Sequence, residues 1–397
     1  MPSEISDRNV FILGAGFSVA AGAPVIRDFL DISRELFDDP ESGLDPEERQ
    51  LFQKVFEFKK KVAQAREKFE IDLDNIEELF GLVEMSHRLN PDAADTRDAT
   101  VYLIAKTLEL ATARCKHRPS IVFDGARGYS TANRWVEWVD RQSGTEDFEC
   151  DIYRHFALLL AGRYDDPKKV QSRSNAVITF NYDIVLDDAL KKAGILPAYG
   201  LANDPNEKGV PLLKLHGSTN WVVCKSCLKP SVWQEGATSL FPFGSIQCRH
   251  CGKSHWRLLL VPPSWDKSEY QDIMRPVWAR AVKELQTATR ICIIGYSMPA
   301  SDSFFRYLLT LGLAENHQLY KLIVVDYKGA PSILDYVASS SQQDEHLAEE
   351  TVEEKYRRML ARLFAKRRFD FDGQGFEMFL RRGANTLLNR GETIALQ

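Results

Sequence analysis

The chain has 397 residues, of which 44% are hydrophobic and 27% charged, and carries a formal net charge of −5. That length exceeds one ordinary core and predicts a large unit with a smaller one beside it. The charge supplies no overall drive toward nucleic acid or a membrane surface. No apolar run reaches membrane-spanning length, and the polar start Met1-Pro2-Ser3-Glu4 reads as no export signal. Four of the seven cysteines fall into one spaced group, leaving Cys115, Cys150 and Cys292 without an obvious pairing. This usage fits a reducing cytoplasm, with Cys292 as inert core inside an apolar strand.

The first predicted element is a short buried strand over Asn9-Val10-Phe11-Ile12-Leu13, followed by Gly14-Ala15-Gly16-Phe17-Ser18 and then Ala21-Gly22-Ala23-Pro24. Gly14 and Gly16 let the backbone turn sharply and approach a ligand closely, and exposed amides ahead of the next helix suit a pyrophosphate. The dinucleotide fingerprint G-x-G-x-x-G nevertheless fails, because Val19 holds the third glycine position. No strand with a terminal acid follows at the usual distance, which argues against an ordinary dehydrogenase.

Between roughly residues 32 and 170 the strand–helix rhythm disappears. Leu30, Phe37, Leu51, Phe52, Val55, Phe56 and Phe58 recur at three- and four-residue intervals, and Ile71 to Val83 reads as an amphipathic helix with an acidic start. Val101 to Leu110 and Trp135 to Tyr153 read as helices too, so an all-helical insert is expected. Asp74 and Asn75 are either helix caps or groups reaching toward a site.

The most informative pattern comes next. Val177-Ile178-Thr179-Phe180-Asn181-Tyr182-Asp183 delivers an Asn and an Asp at the carboxyl end of a buried strand, and a second apolar run delivers Leu215-His216-Gly217-Ser218. Ligands of open α/β sheets sit at such strand ends, although a strand ending in Asn or Asp also makes a helix cap. Cys224-x-x-Cys227, twenty intervening residues and Cys248-x-x-Cys251 then bring four thiolates around one tetrahedral ion, the mark of a structural zinc site. A redox pair or unlinked cysteines are the alternatives, and His250 and His255 are near enough to substitute as ligands. With four positions filled, the metal holds the module together and performs no chemistry.

Beyond this module a strand over Arg257–Val261, a helix over Tyr270–Thr289, a strand over Arg290–Gly295, a helix over Ser303–Leu313 and a strand over Leu322–Asp326 follow in order. The alternation predicts a parallel, doubly wound α/β sheet. Ala338 to Gln343 reads as a linker. After it Val352, Tyr356, Met359, Leu360, Leu363 and Phe364 form one apolar stripe, with Arg357, Arg358, Arg362, Lys366, Arg367 and Arg368 between or beyond them. The stripe is expected to dock on the body or on another protomer, its basic face solvated or turned to an acidic partner or nucleic acid.

Taken in order and separation, the Gly-Ala-Gly-x-Ser turn with Gly22-Ala23-Pro24, the Thr-x-Asn-x-Asp run, His216-Gly217, the four-cysteine insert and Ile291-Cys292-Ile293-Ile294-Gly295-Tyr296-Ser297 resemble the sirtuin (silent information regulator) family. The matching segments fall at 9–30 and 174–330. The resemblance implies a sirtuin-like Rossmann variant built from 1–31 and 171–335. A helical insert at 32–170, a zinc module at 222–256 and a carboxyl-terminal helical tail at 345–397 complete it. It further implies NAD as substrate, cleaved between ribose C1′ and nicotinamide. Gly14, Ala15, Gly16 and Ser18 would meet the phosphates, and Arg27 falls where the family has an Arg after Gly-x-Pro. Asn181 would hold the ribose or the attacking water, Asp183 would support that loop, and His216 would be the general base, an imidazole with an ordinary pKa of about 6.5. Gly295, Ser297 and Asp326 would contact the adenosine half.

The departures carry as much information. The family's deacylases have Asp-Phe where this chain has Val25-Ile26. The two segments that clamp an acyl-lysine peptide become Val261-Pro262-Pro263-Ser264-Trp265 and Met298-Pro299-Ala300-Ser301-Asp302, whose prolines remove backbone donors. With that clamp dismantled, water is the expected acceptor and the products are nicotinamide and ADP-ribose. The resemblance extends to divergent bacterial members that deplete NAD in anti-phage defence. It implies a regulated, homo-oligomeric effector with a separately encoded regulatory partner such as an ATPase. An NAD-dependent protein deacylase and a non-catalytic NAD- or ADP-ribose-binding subunit are the alternatives.

Overall fold

The computed structural model describes residues 8–68, 71–90, 94–115, 120–121, 150–161, 174–202, 206–233, 246–262, 270–298, 303–326, 351–361 and 368–381. Numbering strands along the chain, β1 (Arg8–Leu13) is the central strand of a seven-stranded sheet. On one side lie β4 (Ser174–Thr179), β6 (Val210–Lys214) and β5 (Pro197–Ala198); on the other lie β10 (Arg290–Ile294), β11 (Lys321–Val325) and β12 (Phe369–Asp372). Every neighbouring pair is parallel, as the strand–helix alternation predicts. Val10 to Leu13 and Ile291 to Ile294 are all buried, so alternate side chains find cover on both faces. The short edge strand β5 opens on Pro197, whose missing N–H is tolerated at an edge.

Helices cover the sheet. α5 (Ile152–Leu160) packs on α6 (Val185–Lys192) and on α10 (Gly375–Arg381), while α7 (Gln271–Gln286) packs on α8 (Ser303–Ala314) and on β6. At the amino end of the sheet Asn9 Nδ2 donates to Asn175 Oδ1 at 2.9 Å, and Asn175 Nδ2 donates to Leu160 O at 2.9 Å. Buried amides thereby satisfy carbonyls at the end of α5 that have no helical partner.

A second unit combines α1 (Phe29–Asp38), α2 (Pro46–Val62), α3 (Ile76–Leu89) and α4 (Ala94–Arg114) with a three-stranded antiparallel sheet. That sheet runs β8 (Pro230–Val232), β7 (Gly217–Cys224), β9 (Trp256–Leu260). Phe52, Val55, Leu79, Phe80 and Leu103 share one core with Val222, Cys224, Trp256 and Leu260. The cysteine module and the helices between β1 and β4 are thus one packing unit. α2 starts where Asp45 and Glu48 close a capping box around Pro46.

Several expectations need correction. The segment 32–170 is not all helical: β2 (Ser120–Ile121) pairs antiparallel with β3 (Cys150–Asp151), and α5 belongs to the core of the main sheet. The helix expected from Ile71 starts at Ile76, because the Asn75 side chain accepts the Glu77 and Glu78 amides. Asn75 is therefore a cap, and the exposed Asp74 pairs with Lys59. The tail expected to be helical holds α9 (Val352–Met359) and α10, but between them β12 joins the sheet. Phe369-Asp370-Phe371-Asp372 alternates with the period of a half-buried strand, a signal only four residues long. The Tyr356 side of the stripe docks on the body, where Tyr356 is fully buried. Arg357 pairs with Glu353 and Arg368 donates to Leu319 O. Trp135, the linker at 338–343 and Arg362, Leu363, Phe364, Lys366 and Arg367 lie outside the described residues. Among the described residues no helix is long and apolar enough to cross a membrane.

Candidate functional site

Parallel pairing puts Leu13, Thr179, Lys214, Ile294 and Val325 in one row, so five strands end at the same rim. From β1 the connectivity proceeds to β4 and β6 on one side, and later to β10 and β11 on the other. The rim beside β1 is therefore the topological switch point, where open α/β sheets take their ligands.

Two glycine turns interlock there. Gly14 N donates to Ile294 O at 3.0 Å and Gly16 N to Gly295 O at 2.8 Å. A Cβ on Gly14 would lie 2.6 Å from Gly295 O, and one on Gly295, whose φ is +60°, would lie 2.3 Å from Phe17 N. Loop-on-loop contact requires glycine at both positions, a demand additional to the sharp turn that the sequence predicts at Gly14. Ala15 is half-buried and Gly16 is exposed at the surface of the turn.

Asn181 is tied into this turn. Its Nδ2 donates to Gly14 O at 2.9 Å and to Ser18 Oγ at 3.3 Å, and its backbone N–H reaches Thr179 Oγ1 at 3.0 Å. Ser18, expected to face phosphate, is 1% exposed and also hydrogen-bonds the Asp183 side chain, so it links Asn181 to Asp183. Asp183 is buried, which pushes its carboxyl upward; the Lys214 ammonium, the Val185 N–H and the Ser18 hydroxyl pull it back. It both supports the loop and caps the start of α6, its Oδ1 accepting Val185 N at 3.0 Å.

Sequence reasoning missed Lys214. The side chain is 1% exposed and donates to Asp183 O and, at 3.1 Å, to Asp187 Oδ2, while Tyr199 OH holds Asp187 Oδ1 at 2.6 Å. A lone Lys within Leu212-Leu213-Lys214-Leu215 was the available signal, since such a charge is buried only when paired.

His216 is 3% exposed. Its imidazole is bracketed by Phe180, edge-on at 5.2 Å between centroids, and by Tyr182 at 6.0 Å. Its carbonyl accepts Val261 N at 2.8 Å, and Tyr182 OH donates to Val261 O at 2.8 Å. Gly217 follows with φ +80°, and a Cβ there would lie 2.0 Å from Leu259 O, so only glycine lets β7 cross against β9. Both main-chain groups of Val261 are engaged within the chain, and Pro262 has no N–H to offer.

On the far side of β1, Ser297 is exposed and Met298 holds a left-handed φ of +54° directly before Pro299. Asp326 follows β11; its N–H donates to Asp372 O at 2.9 Å and its carbonyl accepts Gly375 N at 3.0 Å. Arg27 is exposed on the turn Ile26–Asp28, at the end of the connection that runs from β1 into α1.

The four cysteines converge as their spacing predicts. Cys224 and Cys251 sulfurs lie 3.6 Å apart, Cys227 and Cys248 sulfurs 3.7 Å, and all four within 4.8 Å of one another. A tetrahedral ion with Zn–S bonds of about 2.3 Å needs sulfurs about 3.8 Å apart, so the set fits zinc. Both knuckles repeat one turn: Leu228 N donates to Cys224 O at 2.9 Å and Gly252 N to Cys248 O at 2.8 Å, both residues having positive φ. Among the described residues His250 and His255 stay outside the ligand group. Four thiolates would fill all four positions of a tetrahedral ion and leave none open, the ligand count of a structural site.

Fold and rim together define a doubly wound α/β protein with a polar site at its topological switch and a four-thiolate knuckle. No protein-family model matches the chain, and no curated protein matches it. Among solved structures it is similar to one described as the structural basis for the mechanism and regulation of Sir2 enzymes, at 16% identity and TM-score 0.34, covering 84% of this chain and 85% of that one. It is similar also to a Sir2 homolog–NAD complex, at 15% identity and TM-score 0.40 with 97% and 91% covered. A third is Sir2Tm bound to a propionylated peptide, at 14% identity and TM-score 0.32 with 82% and 84% covered.

Proposed function

We propose that this chain is an NAD glycohydrolase. The rim supports a nucleotide site: a glycine turn with Ala15 and Gly16 at its surface, and Asn181 and His216 on the loops after neighbouring strands. The observation that carries the hydrolytic reading is the engaged main chain at Val261, between His216 O and Tyr182 OH. A peptide acceptor adding itself as a strand needs free N–H and C=O groups at that edge. With those groups committed to internal bonds, the acceptor is a small molecule, and water is present everywhere.

In the proposed reaction the bond between ribose C1′ and the nicotinamide ring nitrogen breaks, and its electron pair leaves with neutral nicotinamide. Water oxygen bonds to C1′ and its proton passes to His216, yielding ADP-ribose. Asn181 orients the ribose or the water through Oδ1, since its nitrogen is held by Gly14 and Ser18. Asp183 and Ser18 keep that loop in position, and Arg27, Ser297 and Asp326 belong to the nucleotide-binding set. Zinc holds the knuckle and takes no part in the chemistry.

An unrestrained NAD hydrolase would kill its host. The proposal therefore includes a cytoplasmic effector held in check, by assembly or by a regulatory partner, in anti-phage defence. Chromatography with mass detection tests the activity directly. Wild type released from that restraint is expected to yield nicotinamide and ADP-ribose without any peptide, with losses of roughly 10²–10⁴-fold in Asn181→Ala and His216→Ala. Acylated ADP-ribose formed only with an acetyl-lysine peptide would replace this reading with a deacylase. Nucleotide binding without turnover, unaffected by His216→Ala, would replace it with a binding subunit.

A further inference from the structure

The carboxyl-terminal segment, unused by the proposed reaction, touches the strand-end loops on the far side of the switch point. Tyr356 on α9 is wholly buried and its hydroxyl donates to Tyr296 O at 2.9 Å. The Tyr296 ring lies against Phe180 with centroids 5.2 Å apart, and Phe180 sets its edge on His216. Phe376 on α10 packs on Phe17 of the glycine turn at 4.6 Å. Asp372 O and Gly375 N bind both main-chain groups of Asp326.

We propose that Tyr356 is a positioning residue for the nucleotide site, acting through the Gly295–Met298 turn. The inference rests on the reading that NAD occupies this rim. Met298 keeps a left-handed backbone before a proline, a conformation that persists only where the surroundings over-determine it. The buried bond from Tyr356 to the carbonyl two residues upstream is such a restraint. Because Gly295 interlocks with Gly16, a turn fixed on one side also fixes the glycine turn on the other. The ligand then meets a formed loop, and no binding energy goes into ordering it.

Tyr356→Phe in the full chain keeps the ring and removes the hydroxyl. The expected result is a rise in KM for NAD of about threefold to tenfold, the value of one buried hydrogen bond, with kcat within about twofold. Amide hydrogen exchange should quicken at Gly16 and across 295–298 while β4 amides at 174–179 keep their rates. Unchanged KM and unchanged exchange would overturn the proposal. So would acceleration spread evenly over the sheet, which marks a loss of stability alone. If wild type binds no NAD, the reading of the rim falls, and the exchange comparison by itself decides whether Tyr356 holds the turn.

Discussion

Gly14 O can only accept a hydrogen bond, so the Asn181 atom facing it is Nδ2 and the amide orientation is fixed. Asn181→Asp keeps the shape but sets a carboxylate oxygen against that carbonyl. It is expected to lower NAD cleavage at least as far as Asn181→Ala, and comparing the two initial rates checks it. Lys214 makes a different demand. Lys214→Met keeps the length of the side chain yet leaves Asp187, 8% exposed at its side chain, as an uncompensated buried charge. A loss of about 3–5 kcal/mol is expected by urea denaturation, with much of it restored when Asp187→Leu is added. Asn181 and His216 were legible because strand-end position is a local property. What Ser18 and Lys214 do was not legible, since their partners Asn181, Asp183 and Asp187 are set by the crossing of distant segments.

Elements respond as units. His155 on α5 is buried, which drives its pKa down to about 3, so the folded state keeps it neutral where the unfolded chain takes a proton near 6.5. Between those values the unfolded state binds more protons. Stability is therefore expected to fall as pH drops from 6.5 toward 3, by up to about 1.4 kcal/mol per unit from this residue. Urea melts at pH 7 and pH 5 should show that slope reduced in His155→Leu. In the cysteine knuckle, Cys224 and Cys248 share a core with α2, α3 and α4. Cys224→Ser is expected to lower zinc content and melting temperature together, and to quicken amide exchange in α4 as well as in the knuckle. Full zinc retention would contradict the four-thiolate assignment. The spacing of these cysteines was readable because each knuckle closes within its own few residues; the sharing of their core with the helical insert was not.

At the scale of the whole molecule, the carboxyl-terminal segment completes the sheet that carries the site. β12 pairs with β11, Tyr356 fills the core, and Phe376 backs the glycine turn. Removing residues 345–397 is therefore expected to cost folded protein, visible as reduced soluble yield and lost near-ultraviolet dichroism. An altered sedimentation profile of that truncation would not report on assembly. The engaged Val261 main chain belongs to this scale too, because it joins the loop after β6, the loop after β4 and the end of β9.

Local pattern alone sufficed for the parallel α/β class, the strand-end Asn and His, and the cysteine knuckle. Each depends on short-range periodicity, turn chemistry or ligand spacing, which a single stretch of chain contains. The tertiary structure decided what those stretches meet: glycines answering one another across β1, an ion pair beneath the Asn181 loop, a tyrosine closing the Val261 edge, and a four-residue strand taking one lateral edge of the sheet. Such contacts join residues far apart in sequence. They exist only once parallel strands are in register and both faces of the sheet are covered.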